Sequence, residues 1–78
     1  MNQDEALAWI AETFGEPPGS LTPETTRDEV PTWDSMGVLA LMAAMDERFA
    51  ILLTDDDIRS MSAVDDILAL LRKHGKLG

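Results

Sequence analysis

The 78-residue sequence contains no cysteine and no tyrosine, and its only histidine is His74. Without cysteine the chain can form no disulfide and no thiolate metal site, and it has no thiol nucleophile of its own. The single histidine also argues against zinc, because zinc sites are built mainly from several closely spaced cysteine and histidine ligands. We therefore predict no bound metal.

Long apolar runs and basic residues are also scarce. No apolar stretch approaches the roughly 20 residues that a membrane helix needs, and the N-terminus has no basic segment leading into an apolar one. The chain has six Lys and Arg residues and 15 Asp and Glu residues, which gives a net charge of −9. Such a chain repels nucleic-acid phosphates and anionic lipids. We predict a cytoplasmic protein without nucleic-acid or membrane partners. A basic protein surface is the expected partner, unless the acid serves solubility alone.

Length and composition limit the fold. A chain this short supports one hydrophobic core, so we predict a single domain over residues 1–78. Hydrophobic residues make up 45% of the chain but include only two Trp and two Phe, so the core must be mainly aliphatic. Apolar residues recur with the helical period in several segments, and strand alternation is absent. These patterns predict an all-α fold.

The first half of the chain is predicted to hold one helix and a long loop. Asn2 and Glu5 have the spacing of a capping box, and Gly15 with the prolines after it ends the helix. Residues 16–33 contain all four prolines and little helical pattern, so we expect an ordered loop. A loop of this length in a small domain usually indicates either a function or an element that the pattern does not reveal.

The central helix is predicted to begin near Asp34 or Ser35 and to end near Phe49. Its apolar residues follow the i, i+3, i+4, i+7, i+11 spacing of a helix with one face toward the core. This core-facing stripe consists of Val38, Leu41, Met42, Met45 and Phe49.

Two further helix starts are predicted after the central helix. Thr54 can cap a short third helix that extends to about Met61, and Ser62 with Asp65 repeats the capping arrangement before a final helix. Asp55–Asp57 would form the acidic start that a helix dipole favours. A calcium site is the alternative, but the alternating spacing and the glycine of an EF-hand loop are missing. The predicted bundle has three principal helices and a short third one.

A serine stands at the predicted start of the central helix. Free backbone N–H groups and the helix dipole favour an anion there, so the Ser35 hydroxyl could carry a phosphate group. Asp34 can cap the helix and fix the turn into it, and the alternative is that Ser35 or Asp34 is simply a cap with no further role. A catalytic serine would need a nearby base, but His74 lies at the end of the last helix and no Gly-x-Ser-x-Gly elbow is present. We predict no intrinsic enzyme activity.

The outward side of the central helix is unusually small and apolar. At about 100° per residue, the residues grouped away from the core stripe are Met36, Ala40, Ala43, Ala44 and Glu47. One interpretation is a partner-docking surface with Met36 as its apolar anchor beside Ser35. The alternative is that alanine occupies exposed positions for its helix propensity alone.

The chain resembles the acyl carrier protein family, which includes peptidyl and D-alanyl carriers. Asp34-Ser35-Met36 is similar to the family's Asp-Ser-Leu attachment motif, with Met in place of Leu. The residues that follow match the family's apolar helix ending in an acidic pair and Phe-x-Ile. They are Leu41, Met45, Asp46, Glu47, Phe49 and Ile51. The short third helix and the final helix also fall at the family's spacing.

This resemblance implies a four-helix bundle that carries 4′-phosphopantetheine on Ser35, between Asp34 and Met36. A separate phosphopantetheinyl transferase would attach the arm through a phosphodiester. The thiol of the arm would hold acyl groups as thioesters for a ligase, acyltransferase or ketosynthase, with the carrier expected to act as a monomer. The docking residues would be Met36, Ala40, Ala43, Ala44, Asp46 and Glu47.

Two departures from the family pattern bear on the pathway. Positions 37 and 40 are often acidic in fatty-acid carriers and help to dock basic partners, but here they are Gly37 and Ala40. Trp33 before the motif is more typical of carriers outside core fatty-acid synthesis. Taken with the resemblance, these departures imply a carrier in a specialised fatty-acid or polyketide-type pathway. The alternatives are an aminoacyl or D-alanyl carrier and, from a different class, an unmodified acidic helical adaptor.

Overall fold

The computed structural model describes residues 1–77 and has a helical architecture. Within these residues the chain forms α1 (Gln3–Phe14), α2 (Ser35–Phe49), α3 (Asp55–Ser60) and α4 (Val64–Lys73). No strand occurs in this part of the chain, where one isolated antiparallel bridge joins Thr26 and Ala63. The predicted all-α class, with three principal helices and a short third one, is confirmed. No helix in residues 1–77 has the length and apolarity needed to span a bilayer.

A capping box starts α1, as the sequence predicts, and another starts α3, where the sequence predicts only the Thr54 cap. The Glu5 backbone N–H donates to Asn2 Oδ1 at 2.8 Å, and the Asn2 N–H donates to Glu5 Oε1 at 3.0 Å. Thr54 and Asp57 exchange the same pair of bonds at 3.1 and 3.0 Å. The bond from the Thr54 N–H lowers the pKa of Asp57 below its ordinary value, because it stabilises the carboxylate. The aspartates after Thr54 therefore form a charged helix start.

The predicted cap of α4 is wrong by one residue. Ala63 rather than Ser62 is the N-cap, so the third helical position is Asp66 and not Asp65. Asp66 Oδ2 accepts from the Ser62 N–H at 2.8 Å and from the Ala63 N–H at 3.0 Å, and these bonds lower the pKa of its carboxyl. Asp65 instead lies 3.5 Å from an Arg72 guanidinium nitrogen on the exposed side of α4.

The core is mainly aliphatic, and most of its residues come from α1, α2 and α4. Its most deeply buried large side chains are Ile10, Leu41, Met45, Val64, Ile67, Leu68 and Leu71. Of the predicted stripe on α2, Leu41 and Met45 are buried, whereas Val38, Met42 and Phe49 are half-buried and pack against the core. A bundle this small cannot enclose a whole helix face, because much of its mass lies at the surface.

The loop between α1 and α2 is ordered, as predicted, and contains a short 3₁₀ helix (Arg27–Glu29) that the sequence pattern did not indicate. Leu21, Val30 and Trp33 are buried in the core. The loop is also bonded to the segment before α4, where the Arg27 N–H donates to the Ser62 carbonyl at 2.8 Å. These contacts hold the connection that leads into α2.

Ala50→Gly is expected to stabilise the protein. Ala50 ends α2 with φ 55° and is the one non-glycine residue with positive φ within residues 1–77. This conformation costs an L-residue about 1–2 kcal/mol, part of which is offset by the greater freedom of glycine in the unfolded chain. We expect a net gain of about 1 kcal/mol, measured as the free energy of unfolding in urea.

A matched control for this prediction is Ala69→Gly. Ala69 is exposed in the middle of α4, where the same substitution should lose about 1 kcal/mol through helix propensity alone. The two identical changes should therefore shift stability in opposite directions. Loss of stability at both positions would contradict the strain assigned to Ala50.

Candidate functional site

The predicted helix start at Ser35 is confirmed, and Asp34 is its cap. Asp34 has an extended backbone, with φ −114° and ψ −163°, and its Oδ1 accepts the Gly37 backbone N–H at 3.0 Å. The Asp34 carbonyl accepts the Val38 N–H at 2.9 Å, which is the first bond of the α2 ladder. Asp34 therefore determines where α2 begins and so places Ser35 in its first turn.

The Ser35 hydroxyl is free for chemistry. The residue is exposed, and its Oγ forms no hydrogen bond with any of residues 1–77. The N–H groups of Ser35 and Met36 belong to the first turn and have no intrahelical acceptor, so the positive end of the helix dipole surrounds this hydroxyl. A phosphodiester on Ser35 fits this environment, because its negative charge would lie beside these donors.

Two aromatic contacts secure the segment that precedes Ser35. Trp33 is 4% exposed and stacks on Phe14 of α1, with ring centroids 5.2 Å apart and planes 26° apart. The Arg27 guanidinium lies 5.9 Å from the centroid of the Trp33 ring. From the sequence, Trp33 is only a residue typical of some members of the family. In the structure it anchors the chain in the core two residues before Ser35.

Gly37 is a feature whose role the sequence reasoning missed. The family pattern places this position on the docking surface, but here Gly37 is buried against the loop. A Cβ on Gly37 would overlap the Thr32 carbonyl oxygen and lie 3.3 Å from Phe14 Cδ1. A glycine inside a helix is unfavourable by about 1 kcal/mol relative to alanine, so its presence was the signal that close packing required it.

No nucleophile–base pair forms at Ser35. Within residues 1–77 its hydroxyl contacts no carboxylate or imidazole, and His74 is the C-cap of α4. The Asp34 carboxylate is already bonded to the Gly37 N–H. No group of three or more His, Asp or Glu in this part of the chain could hold a metal ion. The arrangement therefore exposes the Ser35 hydroxyl without a neighbouring group that could activate it.

The proposed docking residues on α2 do not all share one surface. A groove of about 690 Å³ lies between α1 and α2, and its α2 wall is formed by Ala40, Ala43, Ala44, Glu47 and Arg48. Met36, at 73% exposure, and Asp46 lie outside this groove.

The opposite wall of the groove, which is called the α1–α2 groove below, comes from α1. It is formed by Trp9, Glu12 and Thr13. The sequence pattern did not place Trp9, and in the structure its ring packs edge-on against Phe49 with centroids 5.1 Å apart. Leu39, at 58% exposure, is a further apolar residue on the outward side of α2 that the sequence analysis omitted.

Comparisons with known proteins give a relative in sequence and a neighbour in fold. No protein-family model matches the chain. It is 30% identical over 67 residues to an acyl carrier protein of Bdellovibrio bacteriovorus, a match that covers 86% of each chain. The fold is similar to the solution NMR structure of a holo acyl carrier protein from Geobacter metallireducens. That match has a TM-score of 0.75 and 24% identity, and it covers 91% of this chain and 83% of the other.

Proposed function

The chain belongs to the acyl carrier protein family, whose members are carriers and not enzymes, and we propose that it carries acyl groups as thioesters on a 4′-phosphopantetheine arm at Ser35. The observation that carries this proposal is the exposed, unbonded Ser35 hydroxyl in the first turn of α2. Asp34 and Met36 flank it and complete the attachment site.

The protein itself contributes two things: it holds Ser35 in an exposed position, and it stabilises the negative charge of the attached phosphodiester. The Asp34 cap holds the helix start, and the first-turn N–H groups favour the negative charge of a phosphodiester. The arm supplies a thiol, which this cysteine-free chain lacks. Tethering raises the effective concentration of the cargo at a docked partner into the millimolar range or above, without any bond-making by the carrier itself.

The proposed partners are a phosphopantetheinyl transferase and acyl-loading or acyl-processing enzymes such as a ligase, an acyltransferase or a ketosynthase. Gly37 and Ala40 replace residues that are often acidic in fatty-acid carriers, which supports a specialised fatty-acid or polyketide-type pathway. In this pathway partners would rely more on apolar contact with α2. Elongation by a housekeeping fatty-acid synthase as fast as with its own carrier would contradict this specialisation.

The experiment that tests the carrier role is an intact-mass measurement. The folded protein is incubated with coenzyme A and a promiscuous phosphopantetheinyl transferase, and the mass should rise by one phosphopantetheine. Digestion should place the added mass on the peptide that contains Ser35. Absence of any gain on folded protein would support the unmodified acidic adaptor instead.

The proposed docking surface has two parts on α2: the groove residues Ala40, Ala43, Ala44 and Glu47, and Met36 with Asp46 outside the groove. Its small side chains allow a partner backbone to approach α2 closely, and Met36 supplies an exposed apolar contact next to Ser35. Two exposed carboxylates, Asp46 and Glu47, would meet basic residues of the partner. No ion pair within residues 1–77 engages either carboxylate.

Ala43→Arg should weaken partner docking without unfolding the carrier. Ala43 is exposed and lines the α1–α2 groove, so arginine adds both bulk and a charge that repels a basic partner. We expect the KM of an acyl-loading ligase for the phosphopantetheinylated protein to rise about tenfold, with kcat nearly unchanged, because one lost contact near 1.4 kcal/mol has this effect.

The control for Ala43→Arg is Ala69→Arg, which adds the same charge to the exposed side of α4. This variant, once phosphopantetheinylated, should have the same KM as the phosphopantetheinylated protein without substitutions. An equal rise in both variants would point to net charge rather than to docking on α2, and an unchanged KM in Ala43→Arg would remove Ala43 from the proposed surface.

A further inference from the structure

Thr32 joins the end of α1 to the attachment segment. Its Oγ1 donates a hydrogen bond to Glu16 Oε2 at 2.9 Å in a half-buried environment. Glu16 itself is held, because its backbone N–H donates to the Ala11 carbonyl of α1 at 2.8 Å. The hydrogen bond between Thr32 and Glu16 spans sixteen residues of sequence, so it bridges the whole proline-containing loop.

The backbone of Thr32 makes a second contact, with Gly37, which follows Ser35 in the chain. Its carbonyl oxygen lies in the space that a Cβ of Gly37 would occupy, so the loop packs directly on the first turn of α2. The next residue continues this arrangement, since the Trp33 N–H donates to the Val30 carbonyl at 2.9 Å. Thr32 and Gly37 therefore enclose the stretch that contains Ser35.

We propose that these two contacts, named the Thr32 latch, position Ser35 for modification by the transferase. The inference rests on the proposed function, because it concerns attachment of the arm. The Ser35 hydroxyl has no hydrogen bond of its own within residues 1–77, so its location depends on the backbone between Thr32 and Gly37. A loosened segment would have to be ordered each time the transferase binds, and this ordering reduces the rate of transfer.

Thr32 and Glu16 are thus positioning residues, which act through the backbone that leads to Ser35. Thr32→Val keeps the shape of the side chain and removes the donor, whereas Thr32→Ser keeps the hydroxyl. Glu16→Ala removes the same hydrogen bond from the acceptor side. If one contact carries the effect, the double variant Thr32→Val/Glu16→Ala should lose no more than either single variant.

The test measures the kinetics of phosphopantetheine transfer to the folded protein, below the melting temperature of every variant. Thr32→Val and Glu16→Ala should each reduce kcat/KM about tenfold, as expected for a lost hydrogen bond to a charged group, and Thr32→Ser should restore it. Amide exchange of Trp33, Gly37 and Val38 should accelerate by a similar factor.

Thr25→Val is the matched control in the same loop. The Thr25 hydroxyl accepts the Thr22 N–H at 3.0 Å and is also hydrogen-bonded to the Thr22 hydroxyl at 3.1 Å, so this variant loses side-chain hydrogen bonds in the same loop, but none that bridges to the end of α1. The kinetics of phosphopantetheine transfer to this variant should equal those of the protein without substitutions.

Three outcomes would overturn the latch. Unchanged kcat/KM in Thr32→Val, even with faster amide exchange, would make the contact structural only. An equal loss of transfer in Thr25→Val would assign the effect to general loosening of the loop. Failure of the protein without substitutions to accept the arm would overturn the proposed function and this inference with it. The first two results would overturn the latch alone.

Discussion

Ser35→Ala is expected to abolish phosphopantetheine incorporation completely, since alanine has no oxygen to form the phosphodiester. The hydrogen bonds of the other serines make Ser35 the distinct candidate. Ser20 Oγ donates to the Pro17 carbonyl at 2.6 Å, and Ser60 Oγ donates to the Asp57 carbonyl at 3.0 Å. Ser62 Oγ is bonded to an Asp66 carboxylate oxygen at 3.1 Å. Only the Ser35 hydroxyl lacks such a bond within residues 1–77.

Measurement of this prediction combines intact mass with a urea unfolding curve. Ser35 is exposed and its hydroxyl forms no hydrogen bond within residues 1–77, so the variant should keep its free energy of unfolding within about 0.5 kcal/mol. Ser60→Ala, an equivalent loss of one exposed hydroxyl, should still gain one phosphopantetheine. Modification of folded Ser35→Ala would show that the arm is attached elsewhere and would refute the assignment.

Gly37→Ala is expected to cause the largest loss of stability among these substitutions, about 3 kcal/mol. In an ordinary exposed helix this change would gain about 1 kcal/mol. Here the added Cβ would overlap the Thr32 carbonyl oxygen and crowd Phe14, so the backbone of the loop or of α2 must move. A loss of this size is a large fraction of the roughly 4–12 kcal/mol that keeps a domain of this length folded.

The measurement for Gly37→Ala is the midpoint of urea unfolding, with Leu39→Ala as the control. Leu39 is in the same part of α2 but is 58% exposed, so its truncation should change the free energy of unfolding by less than about 0.5 kcal/mol. A Gly37→Ala protein as stable as the unmodified sequence would mean that the loop moves away without penalty.

The same contact affects any attempt to give this carrier the acidic pattern of fatty-acid carriers. Gly37→Asp places a larger side chain into the occupied space beside the Thr32 carbonyl oxygen, whereas Ala40 is exposed and has room for a carboxylate. Only Ala40 can therefore accept an acidic residue without disturbing the segment that presents Ser35.

Much of the fold and the central feature of the site could be predicted because they depend on interactions over a few residues. The Asn2–Glu5 and Thr54–Asp57 capping boxes join residues three positions apart, and the helical period of apolar residues is a property of one segment. The start of α2 at Ser35 follows from the same local rule. The error at the α4 cap shows its limit, since two adjacent aspartates, Asp65 and Asp66, fit the spacing almost equally well.

Tertiary structure decided which surfaces surround that serine. Three contacts join α1, or the residues just after it, to residues sixteen to forty positions later: the Phe14–Trp33 stack, the Glu16–Thr32 hydrogen bond and the Trp9–Phe49 pair. A helical period specifies which face of a segment is apolar, but it does not specify which distant segment covers that face. The sequence by itself therefore determined the helices and the serine at a helix start, while the packing of α1 against the loop and α2 determined the buried glycine, the latch and the groove.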